Sequence, residues 1–164
     1  MAHSVSPLAT AHQVDKFCCG QPALDTDLKV TARQHQDKDI ARTYVLTDDD
    51  APDVVIGFVT VAIRRMTPQG EMPATMAKRL PSNVPGYTLA RLAVDKNHQQ
   101  HGYGADLLMT AMAKAKAAAM NVGGVALFVD AKDADVANFY IKYGFTPFPS
   151  NPLILAIPVK DIPQ

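Results

Sequence analysis

A glycine-containing turn between a predicted strand and a long predicted helix restricts the fold of this chain more than any other feature. The strand covers 87–94, a polar turn follows at 95–101, and the helix begins at Gly102 and continues to about residue 121. Apolar side chains recur along this helix at helical spacing. They are Leu107, Leu108, Ala111, Met112, Ala115 and Ala119. The unit predicts an α/β fold, in which the helix packs against the sheet that contains the strand.

Predicted helices and strands fill most of the remaining sequence, in the order α, β, β, β, α, β, α, β, β. Besides the unit above, they are a helix at 23–34, strands at 42–47, 54–63 and 125–129, a helix at 134–143, and strands at 145–148 and 153–157. Between 64 and 86, four prolines predict a long irregular connection with one short helix at 74–80, and such connections are commonly functional. No signal peptide is evident, and we expect a loose, mobile segment at 1–12 within a single domain that comprises 1–164.

Composition excludes several classes of protein. The 164 residues include 16 Lys and Arg and 16 Asp and Glu, and the zero net charge argues against a generally basic nucleic-acid-binding protein. The longest apolar run, 54–63, is too short to span a bilayer, so we expect no association with a membrane. Cys18 and Cys19 are adjacent, which disfavours a disulfide between them and indicates reduced thiols in the cytoplasm.

The turn at 99–104 (Gln-Gln-His-Gly-Tyr-Gly) has the chemistry of an anion-binding site. Free N–H groups of the first helical turn and the positive end of the helix dipole favour a phosphate, and glycine permits its close approach. A tight turn without a ligand is the alternative. The segment is not a Walker motif, since no Gly-Lys-Ser/Thr closes it. It is not the dinucleotide-binding fingerprint either, since Leu107 stands in place of the third glycine.

Two pairs of side chains are further candidates for chemistry. Tyr140 and Tyr143 are spaced i, i+3 on the predicted helix at 134–143 and share one face, although a tyrosine in this position more often serves packing. His98 and His101 form a His-x-x-His pair. No third ligand is near them, and the glutamate of a zinc-binding His-Glu-x-x-His is absent, so we predict no metal site.

Together, the glycine turn and the tyrosine segment resemble the GCN5-related N-acetyltransferase (GNAT) family. The family's acyl-CoA loop reads Gln/Arg-x-x-Gly-x-Gly/Ala. The matching residues are Gln99, Gly102 and Gly104 in this loop, 92–94 (Leu-Ala-Val) in the strand before it, and Tyr140 with Gly144-Phe145 in the late tyrosine segment. The resemblance implies a central mixed, mostly antiparallel, twisted sheet that is flanked by helices and splayed near the strand ending at Val94.

A narrower resemblance is to the acetyltransferase toxins of bacterial type II toxin–antitoxin modules. The matching segments are 17–20 (Phe-Cys-Cys-Gly) ahead of Leu24-Asp25, 42–45 (Arg-Thr-Tyr-Val), 89–95 (Leu-Ala-Arg-Leu-Ala-Val-Asp) and 149–155 (Pro-Ser-Asn-Pro-Leu-Ile-Leu). Those toxins acetylate the α-amino group of the amino acid on charged tRNA and block translation. The resemblance implies a ribbon-helix-helix antitoxin as partner, operator DNA bound only through the antitoxin complex, and a homodimer.

The resemblance also implies roles for individual residues, with acetyl-CoA as co-substrate. Tyr140 is the expected catalytic residue, which donates a proton to the departing CoA sulfur, and Tyr143 is the alternative donor. The residues expected to bind acetyl-CoA are Leu92, Ala93, Val94, Gln99, Gln100, His101, Gly102, Tyr103, Gly104, Ala105, Asn138 and Tyr143. One departure is Asp133, which stands where many relatives have asparagine, and we interpret it as a helix cap.

Basic residues predict a tRNA-binding surface near the acyl site. Between 64 and 104 there are six basic residues and only two acidic ones, Glu71 and Asp95, in a chain of zero net charge. A basic loop suits contact with a nucleic-acid backbone, whereas a solvated loop without a ligand is the alternative. The residues expected to contact aminoacyl-tRNA are Arg64, Arg65, Lys78, Arg79 and Arg91.

No general base is evident, since the single glutamate, Glu71, lies in the long connection. This favours an α-amine, whose pKa of about 7.7–8.0 leaves part of it neutral at pH 7, over a lysine amine with a pKa of about 10.4. Two other functions stay open. One is an acetyltransferase of the same fold that acts on a small amine or a protein N-terminus. The other is a binding module that acts in a DNA-binding repressor complex with its antitoxin.

Overall fold

The computed structural model describes residues 2–163, which form seven β-strands and five α-helices. In chain order these are β1 (His3–Pro7), α1 (Pro22–Thr26), α2 (Ala32–Asp37), β2 (Ala41–Asp48), β3 (Gly57–Pro68), α3 (Ala74–Ala77), β4 (Asn83–Val94), α4 (Tyr103–Val122), β5 (Ala126–Asp130), α5 (Ala134–Lys142), β6 (Thr146–Pro147) and β7 (Ile154–Pro158). A π-helical turn, Asp27–Thr31, joins α1 to α2. Among the described residues, none of the helices combines the length and apolarity needed to cross a membrane.

The strands form one seven-stranded sheet in the order β1-β2-β3-β4-β5-β7-β6. β4 and β5 are parallel, whereas the β1–β2, β2–β3, β5–β7 and β6–β7 pairs are antiparallel. The parallel register runs from Gly86↔Ala126 to Leu89↔Val129, and β4 continues beyond it to Val94. The predicted fold class, an α/β fold with a mixed and mostly antiparallel sheet that opens near the end of β4, is confirmed.

Two compact units divide the chain, and each has its own buried core. The first comprises Met1–Ala62 and Ala90–Ala111, and the second Ile63–Leu89 and Met112–Gln164. The core of the first unit contains Leu8, Phe17, Leu28, Val45, Phe58 and Ala93. The core of the second contains Met72, Val84, Ala126, Phe128, Phe148 and Ala156. The expectation of a single domain stays a prediction.

The N-terminal segment differs from the predicted loose, mobile start at 1–12. Residues 3–7 form β1, which pairs with β2 from His3↔Asp48 to Pro7↔Tyr44. Leu8, directly after the strand, is buried, and its amide donates to the carbonyl of Thr43 at 2.9 Å. The sequence did not predict this strand, because backbone pairing with a distant strand, rather than a local apolar pattern, forms it. The expected mobility of 1–12 stays a prediction. Met1 lies outside the described residues.

The connection at 64–86 is also more regular than the sequence predicts. β3 continues to Pro68 and β4 already begins at Asn83, with α3 between them. The amide of Gln69 donates to the carbonyl of Ser82 at 2.9 Å, which brings the two strand ends together. Proline predicts irregular backbone because it lacks an N–H, but Pro68 is the last residue of its strand, where a missing donor costs little. The other predicted helices and strands are confirmed to within a few residues.

Candidate active site

Asp95, the first residue after β4, is buried and holds the turn that precedes α4. Its Oδ2 atom accepts a hydrogen bond from the amide of Cys18 at 3.1 Å, and its Oδ1 atom accepts one from the amide of Asn97 at 3.0 Å. The amide of Asp95 donates to the carbonyl of Ile56 at 2.7 Å. In the sequence, Asp95 was assigned to the polar turn, to the matched segment 89–95 and to the acidic charges, but it was given no structural role. An aspartate directly before the turn is itself a capping signal, and that signal was available in the sequence.

Gln99 acts on the same turn through its side chain. Its Nε2 atom donates to the carbonyls of Val94 and Cys19, both at 3.0 Å. A glutamine amide has two N–H donors, so both are used inside the protein. Gln99 therefore links the carbonyls of Val94 and Cys19 to the turn. Its side chain can stabilise the site in this way without contacting a ligand.

The backbone from Gln100 to Gly102 directs the chain into α4. Both of these residues have positive φ angles, 66° and 82°. An ideal Cβ atom on Gly102 would have no neighbouring atom within 4 Å, so the space in front of it is open, whereas its φ disfavours any other residue. α4 is 20 residues long. Its first amides and its dipole therefore present an anion-binding end at an open turn.

Tyr103, the first residue of α4, lies beside two histidines. Its Oη atom is 3.0 Å from Nε2 of His3, and the centroids of these two rings are 4.8 Å apart. The ring of His101 is 5.7 Å from that of Tyr103. The structure thus brings together His101 and Tyr103, both predicted to bind acetyl-CoA, and adds His3 of β1, which the sequence placed in a loose segment.

The end of β4 contributes backbone more than side chains. Ala93 is 5% exposed and belongs to the core of the first unit. On the adjacent strand, a Cβ atom on Gly57 would lie 2.8 Å from Cδ1 of Leu107 and 3.0 Å from the carbonyl oxygen of Ala93. Glycine at this position is therefore what allows α4 to approach the strands. Any contribution of Ala93 to ligand binding rests on its N–H and C=O groups.

Tyr140, in the second unit, is 4% exposed. Its ring meets those of Phe139 and Phe145 edge-on, with centroids 5.2 and 5.4 Å apart. Burial raises the pKa of Tyr140, because the charged phenolate is disfavoured away from water. The side chain therefore keeps its proton over the neutral range, which suits a proton donor. As predicted, Asp133 caps the helix that contains it, accepting from the amide of Val136 at 2.9 Å.

The other two candidates on this part of the chain are less enclosed. Tyr143 is partly exposed and packs on Phe139, with ring centroids 5.2 Å apart, while Lys142 Nζ lies 5.8 Å from its ring centre. Asn138 is exposed, as a residue that meets a ligand would be. Both stay predicted acetyl-CoA contacts.

The residues predicted to contact tRNA differ in how exposed their side chains are and in whether they form ion pairs within the protein. Arg64 forms a bidentate ion pair with Asp130 and its side chain is only 17% exposed. Nε of Arg91 lies 3.6 Å from Oδ1 of Asp27, whose pKa is raised by burial in spite of the opposing effect of Arg91. The remaining predicted contacts are exposed, and they are Arg65, Lys78 and Arg79.

Cysteine and metal chemistry gain no support from the geometry. Cys18 and Cys19 are free thiols, as predicted, and burial together with the neighbouring Asp25 raises the pKa of Cys19 to about 11, so that this thiol stays protonated. Within 2–163, His, Cys, Asp and Glu side chains form no group of three that could hold a metal ion.

Comparison with known proteins connects these features to a family. Residues 39–147, which extend from before β2 to the end of β6, match the family model described as acetyltransferase (GNAT) domain. The tRNA-acetylating toxin of Mycobacterium tuberculosis is 30% identical over 154 residues, which are 94% of this chain and 90% of that protein.

Solved structures agree with this match. The toxin AtaT in complex with acetyl-methionyl-tRNAfMet has a TM-score of 0.89 and 31% identity, and the alignment covers 98% of this chain and 97% of AtaT. A Tyr→Phe mutant of AtaT bound to the C-terminus of the antitoxin AtaR and acetyl-CoA has a TM-score of 0.81 and 29% identity, with 98% and 95% covered. With a family model that spans both the glycine turn and the tyrosine helix, this chain belongs to the GNAT family of acetyltransferases.

Proposed function

We propose that this GNAT acetyltransferase is a toxin that uses acetyl-CoA to acetylate the α-amino group of the amino acid on charged tRNA and so blocks translation. The observation that carries the proposal is the open turn at the start of α4, which Asp95 and Gln99 hold in place. Its exposed helical amides suit the diphosphate of a coenzyme A thioester. The similarity to a tRNA-acetylating toxin over most of the chain supports charged tRNA as the acceptor.

The turn and the end of β4 share the binding of acetyl-CoA in this proposal. Amides at 102–105 bind the diphosphate, and Gln100, His101 and Tyr103 lie beside it. The backbone of 92–94 hydrogen-bonds the pantetheine arm, and one of its N–H groups faces the thioester oxygen, where negative charge develops during acyl transfer. The burial of the Ala93 side chain supports this division, because it leaves only the backbone of Ala93 for a ligand to use.

Tyr140 supplies the proton that the leaving group needs. The α-amine attacks the thioester carbonyl carbon, a C–N bond forms, and the C–S bond breaks. The thiolate takes the proton of the Tyr140 hydroxyl, the amine nitrogen releases its proton to water, and solvent reprotonates the phenolate. Edge-on packing against Phe139 and Phe145 supports this role, because it holds the ring that carries the hydroxyl in place.

In this proposal, exposed basic side chains bind the phosphates of the tRNA backbone. Substitution of these side chains tests the assignment. Reversing Lys78 and Arg79 to Glu is expected to weaken tRNA binding at least tenfold near 0.1 M salt and to lower the salt dependence of binding by about two charges. Acetyl-CoA affinity is expected to stay unchanged. Filter binding across a salt series measures the first effect and calorimetry the second.

A matched control separates local contact from overall charge. Lys29 and Lys38 are exposed and lie outside residues 64–104, where the basic residues are concentrated. Replacing both with Glu changes the net charge by the same amount as replacing Lys78 and Arg79. We expect this control to bind tRNA within about threefold of the unmodified chain. Equal losses in the two double variants would mean that net charge, and not a surface at Lys78 and Arg79, governs binding.

The proposal extends to partners and location. An antitoxin neutralises the enzyme, and a relative has been solved with the C-terminus of its antitoxin. We place this antitoxin in the ribbon-helix-helix class, with operator DNA bound only through the toxin–antitoxin complex. We further propose a homodimer that acts in the cytoplasm.

Labelled acetyl-CoA tests the acceptor class. Incubated with charged tRNA, deacylated tRNA, polyamines and short peptides, the protein is expected to transfer label only to charged tRNA. Transfer to polyamines or peptide N-termini without transfer to charged tRNA would overturn the proposal in favour of a small-amine or N-terminal acetyltransferase. Absence of any transfer, together with operator binding by the antitoxin complex, would favour a binding module.

A further inference from the structure

A cavity of about 460 Å³ lies in the second unit, and none of the roles above uses it. Met66, Phe148 and Ile154 contribute apolar surface to its wall, whereas Thr88 and Asp130 contribute polar atoms. This volume is within the range of pockets that take small ligands, about 300–1,000 Å³. The lining is mixed, with somewhat more polar than apolar surface, so polar contacts are expected to orient a ligand in it.

The polar part of the cavity is built around Arg64. Its two terminal nitrogens donate to the two carboxylate oxygens of Asp130 at 3.1 and 3.0 Å, and Nη1 also reaches Oγ1 of Thr88 at 3.2 Å. The guanidinium carbon lies 4.9 Å from the ring centre of Phe128. The side chain of Arg64 is 17% exposed, whereas that of Asp130 is 63% exposed. Arg64 is thus enclosed, and the carboxylate that it holds remains open.

This pair offers a ligand an acceptor rather than a cation. A carboxylate has about four lone-pair sites, and Arg64 occupies one on each oxygen, so Asp130 retains acceptor capacity on its open side. The other charged residues of the cavity are Arg65 and Glu71, which are both exposed and of opposite sign. An amino group suits such a site better than a phosphate, because the negative charge of Asp130 would repel a phosphate.

The two faces of β5 separate the cavity from α5. Phe128 and Asp130 share one face of the strand, and Leu127 lies on the other, because side chains alternate along a strand. Ile157 is the register partner of Leu127, and its Cδ1 atom lies 3.4 Å from the position of a Cβ on Gly144, just past α5. A ligand in the cavity therefore approaches the sheet from the face opposite the helix that contains Tyr140.

We propose that this cavity receives the aminoacyl end of the acceptor, an inference that rests on the proposed function. Asp130 accepts a hydrogen bond from the α-amino group, and Met66, Phe148 and Ile154 contact the side chain of the amino acid. An aminoacyl ester has an amino group without a free carboxylate, so nothing in it repels Asp130, unlike a free amino acid. Arg64 is then a positioning residue that orients Asp130, and not a contact to tRNA phosphate.

Two small probes test the site on the unmodified chain. Leucinamide has an α-amino group and no carboxylate, whereas N-acetyl-leucinamide lacks the basic amine. In an NMR titration, leucinamide is expected to shift the signals of Thr88 and Ile154, and N-acetyl-leucinamide to bind at least tenfold more weakly. Glutamic acid α-amide is expected to bind more weakly as well, because Asp130 and Glu71 repel its side-chain carboxylate. Equal binding of the two leucine probes, or shifts confined to other regions, would overturn the proposal.

Variants of Asp130 provide the second readout. Asp130→Asn is expected to lose leucinamide binding and to lower kcat/KM for charged tRNA at least tenfold, mainly through KM, with unchanged acetyl-CoA affinity. Asp130→Glu, which keeps a carboxylate, is expected to recover part of the loss. Asp161→Asn removes an exposed carboxylate elsewhere in the same unit and serves as the matched control. A purely structural role for Asp130 would lower thermal stability without discriminating between the two leucine probes.

The outcomes distinguish this inference from the proposed function. If leucinamide binds the cavity as predicted but charged tRNA is never acetylated, the choice of acceptor is wrong and the amine-binding cavity stands. If charged tRNA is acetylated, while leucinamide leaves Thr88 and Ile154 unshifted and Asp130→Asn keeps full activity, only the cavity proposal fails.

Discussion

Replacing Tyr140 with phenylalanine is expected to lower kcat for acetyl transfer by about 100-fold or more, because a positioned general acid commonly contributes 10²–10⁴-fold. The substitution removes only the hydroxyl, and the edge-on contacts of the ring with Phe139 and Phe145 remain. We therefore expect the fold and the acetyl-CoA affinity to be preserved. Steady-state transfer to charged tRNA measures the rate, and calorimetry with thermal unfolding measures the other two.

A second tyrosine provides the control for this substitution. Tyr87→Phe also removes one hydroxyl, which donates to the carbonyl of Gly123, and we expect it to keep kcat within about threefold. Tyr143→Phe tests the alternative donor. Full activity in Tyr140→Phe with a loss in Tyr143→Phe would move the role to Tyr143.

The pH dependence of the rate gives an independent readout on the same residue. An ordinary tyrosine loses its proton near pH 10, and burial raises the pKa of Tyr140 above that value. The acid form therefore persists to higher pH than in a free tyrosine. We expect no fall in kcat from loss of this proton up to about pH 10. A fall that centres near pH 8 would show that a different group supplies it.

Asp95→Ala is expected to destabilise the protein by about 1–3 kcal/mol. The substitution removes the hydrogen bonds from the partly buried amides of Cys18 and Asn97, and each such bond contributes about 0.5–1.5 kcal/mol net. Because the same contacts hold the turn before α4, we also expect acetyl-CoA affinity to fall at least tenfold. Urea denaturation measures the stability, and calorimetry measures the affinity.

Asparagine at this position separates the two hydrogen bonds. Asp95→Asn keeps one carbonyl oxygen as acceptor, so it is expected to retain about half of the stability that alanine loses. An Asp95→Ala variant whose free energy of unfolding changes by less than about 0.5 kcal/mol would mean that other contacts hold the turn.

Local patterns were enough to predict the parts of the site that lie within single elements. The spacing of apolar residues predicted α4, and the glycine-containing turn predicted where it begins. Asp133 was predicted as a cap from its position alone, and the structure confirms it. These signals act over a few residues, so the sequence displays them directly.

Contacts between distant segments could not be predicted in this way. β1 exists because it pairs with β2, and Asp95 matters because Cys18 lies beside it. Arg64 counted in the sequence as one more free cation, yet its partner Asp130 is 66 positions away. Composition reports how many charges a segment has, but pairing depends on which strands lie next to each other.

Mass spectrometry of charged tRNA tests the central claim most directly. Purified protein, acetyl-CoA and a mixture of charged tRNAs are incubated, and the aminoacyl-adenosine ends released by nuclease are analysed. We predict one added acetyl group on the α-amine of the aminoacyl group, absent when acetyl-CoA is omitted or Tyr140 is replaced by phenylalanine. Unmodified aminoacyl-adenosine from a protein that demonstrably binds acetyl-CoA, or acetylation on a side chain alone, would contradict the account.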